Sequence, residues 1–219
     1  MGEEVLTQKQ KDAITHISST PELASFYLSG GTALAAYYLR HRLSDDLDFF
    51  SPEKPDLVFL HAFSEKLKNI LEAKEILYTR LYDRNQFFFS LKRGEAQEEL
   101  KIEFTYYPFP NLEGHKIIDG VKIASIRDIA AGKLMALLDR FDPKDFVDLY
   151  FLMKGTQLKL IWKDAENKFG IKIDPIFLGG ELAKVKRVEG LPKMIKRLTV
   201  EELKTFFSEK AQELKSDIF

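Results

Sequence analysis

Apolar positions along the first part of the chain follow two periods. Leu6, Ala13, Ile14 and Ile17 share one side of a helical wheel and predict an amphipathic helix over 6–18. Phe26-Tyr27-Leu28 is a short aromatic and apolar run of the kind a buried strand requires. Gly30-Gly31 breaks it, and Thr32 to Leu39, rich in Ala and Leu, predicts a helix. Ser44-Asp45-Asp46-Leu47-Asp48-Phe49-Phe50 then alternates, so Ser44, Asp46 and Asp48 share one face of a strand while Leu47 and Phe49 share the other. A turn at Ser51-Pro52-Glu53-Lys54-Pro55 leads to a crossover helix over 56–73, marked by Leu57, Leu60, Phe63, Leu67, Ile70 and Leu71. Residues 75–82 predict a strand, Asp83-Arg84-Asn85 a turn, and Gln86 to Lys92 the returning strand through Phe87-Phe88-Phe89. Glu99 to Tyr106 alternates cleanly, with Leu100, Ile102, Phe104 and Tyr106 on one face and Lys101, Glu103 and Thr105 on the other. Lys116-Ile117-Ile118 and Val121-Lys122-Ile123, about Gly120, predict a last short hairpin.

Strand signals stop at Ile126, which places a domain boundary near residue 125 and predicts units 1–125 and 126–219. Ser125 is a good N-cap for a helix whose buried face is Ile129, Leu134, Leu137 and Leu138. Arg140-Phe141-Asp142-Pro143 breaks it, and a second helix starts at Lys144. Further helices are predicted over Leu158 to Phe169, Ile176 to Val185 and Val200 to Leu214, the last with a Thr199/Glu202 capping box. The fold class is α+β: a mixed sheet with flanking helices, followed by a C-terminal helical domain.

The 219 residues are 45% apolar and 31% charged, ordinary for a globular chain able to bury a sizeable core. The absence of cysteine excludes a disulfide framework, thiolate zinc sites and cysteine nucleophiles, and is compatible with the cytoplasm. Met1-Gly2-Glu3-Glu4 is acidic with no apolar run after it, which predicts no signal peptide, and no stretch is apolar enough to span a bilayer. A net charge of −1 leaves any attraction to nucleic acid to a local patch. Lys184, Lys186, Arg187, Lys193, Lys196 and Arg197, opposed only by Glu189, are such a group; they read either as a solvated surface or as a phosphate-tracking patch.

The candidate chemistry lies in residues 29–50. A strand, two glycines and a helix start let backbone N–H groups face an anion. Asp46 and Asp48, side by side, repel each other unless a cation or proton sits between them. Oxygen ligands of this kind suit Mg²⁺ or Mn²⁺ completed by phosphate oxygens, so the two halves together fit a nucleoside triphosphate with its metal. The plainer reading is a tight turn before a solvated acidic strand end. By pattern alone, Glu103 is a solvent-facing strand residue, Asp145 and Asp148 are helix N-terminal acids that favour the dipole, and Lys133 points toward a cleft.

Gly30-Gly31-Thr32-Ala33-Leu34, His41-Arg42 and Ser44-x-Asp46-x-Asp48-Phe49 resemble the signature of the AbiEii/AbiGii-type nucleotidyltransferases. These are toxins of type IV toxin–antitoxin systems within the DNA polymerase β-like nucleotidyltransferase superfamily. Asp128-x-x-Ala131-x-Lys133-x-x-Ala136-Leu137, Arg140 and Lys144-Asp145-x-x-Asp148-Leu149 resemble the second block of that family, and the likeness spans about residues 23–150. The resemblance implies a nucleotidyltransferase-type sheet. It implies that Gly30, Gly31 and Thr32 cradle the β- and γ-phosphates, and that Ser44 orients a carboxylate or touches phosphate. Asp46 and Asp48 then hold Mg²⁺ or Mn²⁺, with Glu103 as third carboxylate where the family more often has Asp. Lys133 contacts the triphosphate across an interdomain cleft, and Asp145 serves as catalytic base for the acceptor while Asp148 braces Lys133 or Arg140. His41 and Arg42 have a structural or phosphate-facing role, and Lys144 stands where the family commonly has Arg. The donor implied is an NTP, the acceptor a tRNA 3′ end, and the partner a separately encoded antitoxin. Two other readings are AMP transfer to a protein hydroxyl and a non-catalytic nucleotide- or partner-binding module.

Overall fold

In the computed structural model, which describes residues 4–93 and 96–214, the two alternating segments of the sequence meet as neighbours in a sheet. The strands are β1 (Tyr27–Ser29), β2 (Leu47–Ser51), β3 (Glu75–Leu81), β4 (Arg84–Arg93), β5 (Ala96–Tyr106), β6 (Lys116–Ile118) and β7 (Val121–Ile123). They form one mixed sheet in the order β3-β4-β5-β2-β1-β7-β6. β2 runs parallel to β5, and β1 parallel to β7; the remaining pairs are antiparallel. Leu47, Phe49, Leu100, Ile102 and Phe104 are buried, with Phe49 stacked on Phe104 at 5.7 Å between centroids. Each such side chain contributes about 2 kcal/mol by leaving water.

Two helices supply the apolar cover of that face. The first, α1 (Gln8–Ser18), buries Ala13, Ile14 and Ile17 and starts at a capping box between Thr7 and Gln10. The crossover helix α3 (Leu57–Leu71) buries Leu60, Phe63, Leu67 and Leu71, and Asp56 caps it by accepting from the N–H groups of Val58 and Phe59.

Three local expectations change. The segment after Gly30 is a single α-turn, α2 (Gly30–Ala33), continued by a wider π-type turn over Leu34–Leu39. Strand β2 begins only at Leu47, because the carbonyls of Ser44 and Asp45 bond Gln10 Nε2 (2.8 and 3.1 Å) rather than a neighbouring strand. The β3–β4 turn is Tyr82-Asp83, with Tyr82 at φ +53°, one residue earlier than Asp83-Arg84-Asn85. Residues 1–3 of the acidic N-terminus lie outside the described residues.

The chain divides into two compact units. The sheet unit takes in residues up to Ala36, Ser44–Phe109 and Gly114–Ser125; the other holds Tyr37–Leu43, Pro110–Glu113 and everything from Ile126. The helical unit contains α4 (Ile126–Asp139), α5 (Pro143–Leu152), α6 (Leu158–Phe169), α7 (Pro175–Ala183) and α8 (Val200–Glu213). Thr199 and Glu202 form the capping box of α8. Among the described residues no helix is long and apolar enough to cross a membrane.

One glycine ties the fold to the site. Gly30 has φ +68°, and a Cβ there would collide with the Asp48 carboxylate. Left-handed backbone costs an alanine about 1–2 kcal/mol, and the collision adds to it. Gly30→Ala is therefore expected to lower unfolding free energy by roughly 2 kcal/mol or more, as read by denaturant titration. An unchanged midpoint would show that the turn relaxes freely.

Candidate active site

The polar face of the sheet carries a row of side chains fixed by strand register. Ser29 pairs with Asp48 across β1–β2, Asp48 with Glu103 across β2–β5, and Glu103 with Gln86 across β5–β4. A parallel pair in register sets the Asp48 and Glu103 side chains next to each other on one face. Gly30 abuts Asp48, and the buried Thr32 hydroxyl donates to the Asp46 carbonyl, which fastens α2 to the residue before β2. The sheet unit thus brings Gly30, Thr32, Asp46, Asp48 and Glu103 together, with Ser44 in the segment held by Gln10.

Glu103 is 5% exposed, since β5 is an interior strand rather than an edge. Burial of a carboxylate demands compensation, and both its oxygens receive it. Gln86 Nε2 donates to Oε2 at 2.7 Å, and Thr105 Oγ1 donates to Oε1 at 2.8 Å. Arg84 Nε stands 3.9 Å from Oε1. The charge is offset by Lys101, whose Nζ lies 3.7 Å from Glu103 Oε2 and 3.3 Å from Asp46 Oδ2. Burial lowers the Lys101 ammonium pKa, but the charges of Asp48, Asp46 and Glu103 outweigh it and hold the group above the ordinary lysine value. Lys101 and Gln86 did not stand out in the sequence; the one signal was that Lys101 shares a strand face with Glu103.

The donor chemistry here is all oxygen, and Asp46 is half exposed (45% of its side chain), so Asp46 and Asp48 suit Mg²⁺ or Mn²⁺. Glu103 is already engaged by Gln86 and Thr105. Among the described residues no group of three or more carboxylates and imidazoles is arranged to hold a metal by itself.

The helical unit holds a second, different cluster. Asp148 is fully buried and accepts from His41 Nε2 (2.7 Å), Arg42 Nε (2.7 Å) and Arg42 Nη2 (2.9 Å), and pairs with Lys133 Nζ (2.7 Å). Lys133 also donates to Asp145 Oδ1 at 2.9 Å, and Arg140 Nε to Asp145 Oδ2 at 3.0 Å. Asp145 and Asp148 are three apart on α5, which lets one ammonium bridge them. Asp148 thus braces Lys133, as the resemblance allowed, while Arg140 is held by Asp145. Burial raises the Asp148 pKa, but the Lys133 charge and the hydrogen bonds from Arg42 and His41 win and hold it well below the usual carboxylate range. Burial, with help from Arg42 and Lys133, pushes the His41 imidazole below its ordinary value despite Asp148. A neutral His41 facing an ionised carboxylate must carry its proton on Nε2, so Nδ1 is a bare acceptor, buried with no partner among the described residues. Asp128, also in the second block, ties the Leu112 N–H (2.9 Å) to Lys168 Nζ (2.7 Å). The backbone around His41 bonds the basic segment, with Leu43 N–H to Lys193 O at 2.8 Å and Ile195 N–H to His41 O at 2.9 Å. Lys186, Arg187, Lys193, Lys196 and Arg197 are exposed.

A glycine turn set against paired carboxylates on a mixed sheet, with a helical unit after it, is the architecture of a nucleotidyltransferase. The family model of the AbiEii nucleotidyl transferase toxins of type IV toxin–antitoxin systems matches residues 12–217, and the chain belongs to that family. An uncharacterised Aquifex aeolicus (strain VF5) protein, aq_aa25, is 36% identical over 169 residues, covering 75% of this chain and 76% of that one. The crystal structure of JHP933 from Helicobacter pylori superimposes with TM-score 0.61 at 25% identity, covering 96% of this chain and 90% of that one. MenT4, a nucleotidyltransferase toxin of Mycobacterium tuberculosis H37Rv, shares the fold at TM-score 0.50 and 13% identity, covering 95% and 89%. The chain is accordingly a nucleotidyltransferase toxin, and membership of a type IV system implies an NTP substrate and an antitoxin.

The second cluster makes stability acid-sensitive in two stages. Both folded-state pKa values lie below the unfolded ones, so each contribution is present above the unfolded pKa and is lost as pH falls. His41 begins to draw on stability below about pH 6.5, at up to about 1.4 kcal/mol per pH unit, and Asp148 below about pH 4. Denaturant titrations from pH 8 to 3 should show both stages, and His41→Asn should remove the first. Asp148→Asn should cost about 3–5 kcal/mol at pH 7, because buried cations lose their carboxylate. A wild-type profile flat between pH 7 and 5 would contradict the assignment of His41.

Proposed function

We propose that this toxin transfers a nucleoside monophosphate from an NTP to an acceptor hydroxyl at a tRNA 3′ end. The acceptor oxygen attacks the α-phosphorus, the bond from that phosphorus to the oxygen bridging the α- and β-phosphates breaks, pyrophosphate leaves, and the hydroxyl proton passes to water. The observation that carries this reading is the Asp48–Glu103 register beside a glycine turn with no room for a side chain. There Gly30 and Gly31 let a phosphate approach the backbone amides, and Thr32 keeps that turn fastened to Asp46. Asp46 and Asp48 would hold a divalent ion, Mg²⁺ or Mn²⁺, which when bound neutralises charge on the phosphates and orients the attacking oxygen. Glu103 supports the pair from the next strand, and Ser44 orients the segment that leads into it.

In the helical unit we assign Lys133 to the triphosphate. Its ammonium is fixed between Asp145 and Asp148 at 2.9 and 2.7 Å, with Arg42 on Asp148 and Arg140 on Asp145 and Asp142, a gathering of cations that suits a phosphate. Asp145, 0% exposed and paired with two cations, acts through those cations rather than by receiving the acceptor's proton. The exposed lysines and arginines at 186–197 favour RNA over protein as acceptor, since they offer a nucleic-acid backbone several charges.

Label transfer from each α-labelled NTP, with Mg²⁺ or Mn²⁺, into total tRNA and into protein tests this directly. Label is expected in tRNA, reduced about 100-fold or more by Asp46→Asn/Asp48→Asn, with the circular dichroism spectrum unchanged. Label in protein alone would replace the acceptor by a protein hydroxyl. No transfer to either from a folded sample would overturn the reading.

A further inference from the structure

The carboxylates expected to hold a metal already face a cation. Lys101 precedes Glu103 by two residues, so both side chains leave β5 on the same face. Register places Glu103 opposite Asp48 and Ile102 opposite Leu47, so Lys101 comes level with Asp46. Its ammonium sits 3.3 Å from Asp46 Oδ2 and 3.7 Å from Glu103 Oε2, and the Asp48 charge acts on it as well. Only 22% of the Lys101 side chain is exposed, so the group is seated in the cluster rather than waving over it. Among the described residues Lys101 is the cation that pairs with Asp46, while Glu103 also has Gln86, Thr105 and the more distant Arg84.

We propose that Lys101 is a resident counter-ion of the carboxylate site, which a divalent metal has to displace, so that Lys101 sets the site's metal affinity. This rests on the reading of Asp46 and Asp48 as metal-holding residues. An ammonium and a divalent ion about 4 Å apart repel each other strongly, even at the screened dielectric of a protein surface. The two therefore occupy the cluster alternately. A metal arriving alone meets that barrier. One arriving with a triphosphate brings negative charge with which the released ammonium can pair. Metal and nucleotide thus favour each other's binding, by the same factor in either order.

The test uses the full chain without nucleotide, with Mn²⁺ as probe and free Mn²⁺ followed by electron paramagnetic resonance. Lys101→Met should bind Mn²⁺ at least about tenfold more tightly than wild type. Lys101→Arg, which keeps the charge, should stay as weak as wild type. Adding a non-hydrolysable NTP should tighten Mn²⁺ binding to wild type far more than to Lys101→Met. Because Lys101→Met could fold poorly, a second measurement uses wild type alone. Labelling of Lys101 by an amine-reactive reagent, read by mass spectrometry, should rise several-fold when Mn²⁺ saturates. Equal Mn²⁺ affinity in all three proteins, or labelling that stays level or falls, would overturn the role of Lys101 and leave the metal reading standing. No Mn²⁺ binding by any of the three, with or without nucleotide, would overturn both.

Discussion

Carboxylates brought together below a protein surface must be compensated, and this chain does so twice, in two different ways. Parallel pairing of β2 with β5 forces Asp48 beside Glu103, with Asp46 just ahead of the strand. In the helical unit, three-residue spacing on α5 forces Asp145 beside Asp148. Unpaired, either cluster would cost several kcal/mol or take up protons. The compensation differs in tightness. Asp148 is fully buried and takes contacts of 2.7–2.9 Å from His41, Arg42 and Lys133. Asp46 is half exposed and, among the described residues, is met by the Lys101 ammonium at 3.3 Å. The first arrangement is a scaffold that would be expensive to open; the second is loose enough to exchange its cation. On the proposed reading the loose cluster exchanges its cation for a metal, while the tight one holds Lys133 in place for the triphosphate.

The sheet was legible because its evidence is local. Alternation over 47–50 and 99–106 requires only neighbouring residues, and it marked Leu47, Phe49, Ile102 and Phe104 as core. The Thr199/Glu202 capping box and the break at Gly30-Gly31 were equally local signals. The extent of β2 was less legible, since what stops it at Leu47 is Gln10, more than thirty residues earlier.

What the pattern could not give was the fate of charged residues. Lys101, Glu103 and Thr105 read as a solvated strand face, and only the place of β5 inside the sheet turns that face inward. Asp145 and Asp148 read as dipole-favouring acids at the start of a helix. Their burial depends on Arg42, His41 and Lys133, of which the first two lie more than a hundred residues away. Family resemblance located these residues without saying how they are paired. It allowed Asp148 to brace either Lys133 or Arg140, and the geometry divides the two cations between two carboxylates, with Lys133 shared.

The glutamate at position 103 shows why pairing matters more than residue type. Glu has one more rotatable bond than Asp, and a free side chain of that length would hold no fixed place beside Asp48. Here both oxygens are anchored, Oε2 by Gln86 on β4 and Oε1 by Thr105 on its own strand, so the extra freedom is removed by neighbours. A carboxylate held at both oxygens is a poor sole ligand for an incoming ion, but it is a good fixed charge. It keeps the Lys101 ammonium, 3.7 Å from its Oε2, close to Asp46. If Asp46 and Asp48 hold the metal as proposed, the longer side chain makes position 103 an electrostatic support for that pair rather than a third ligand.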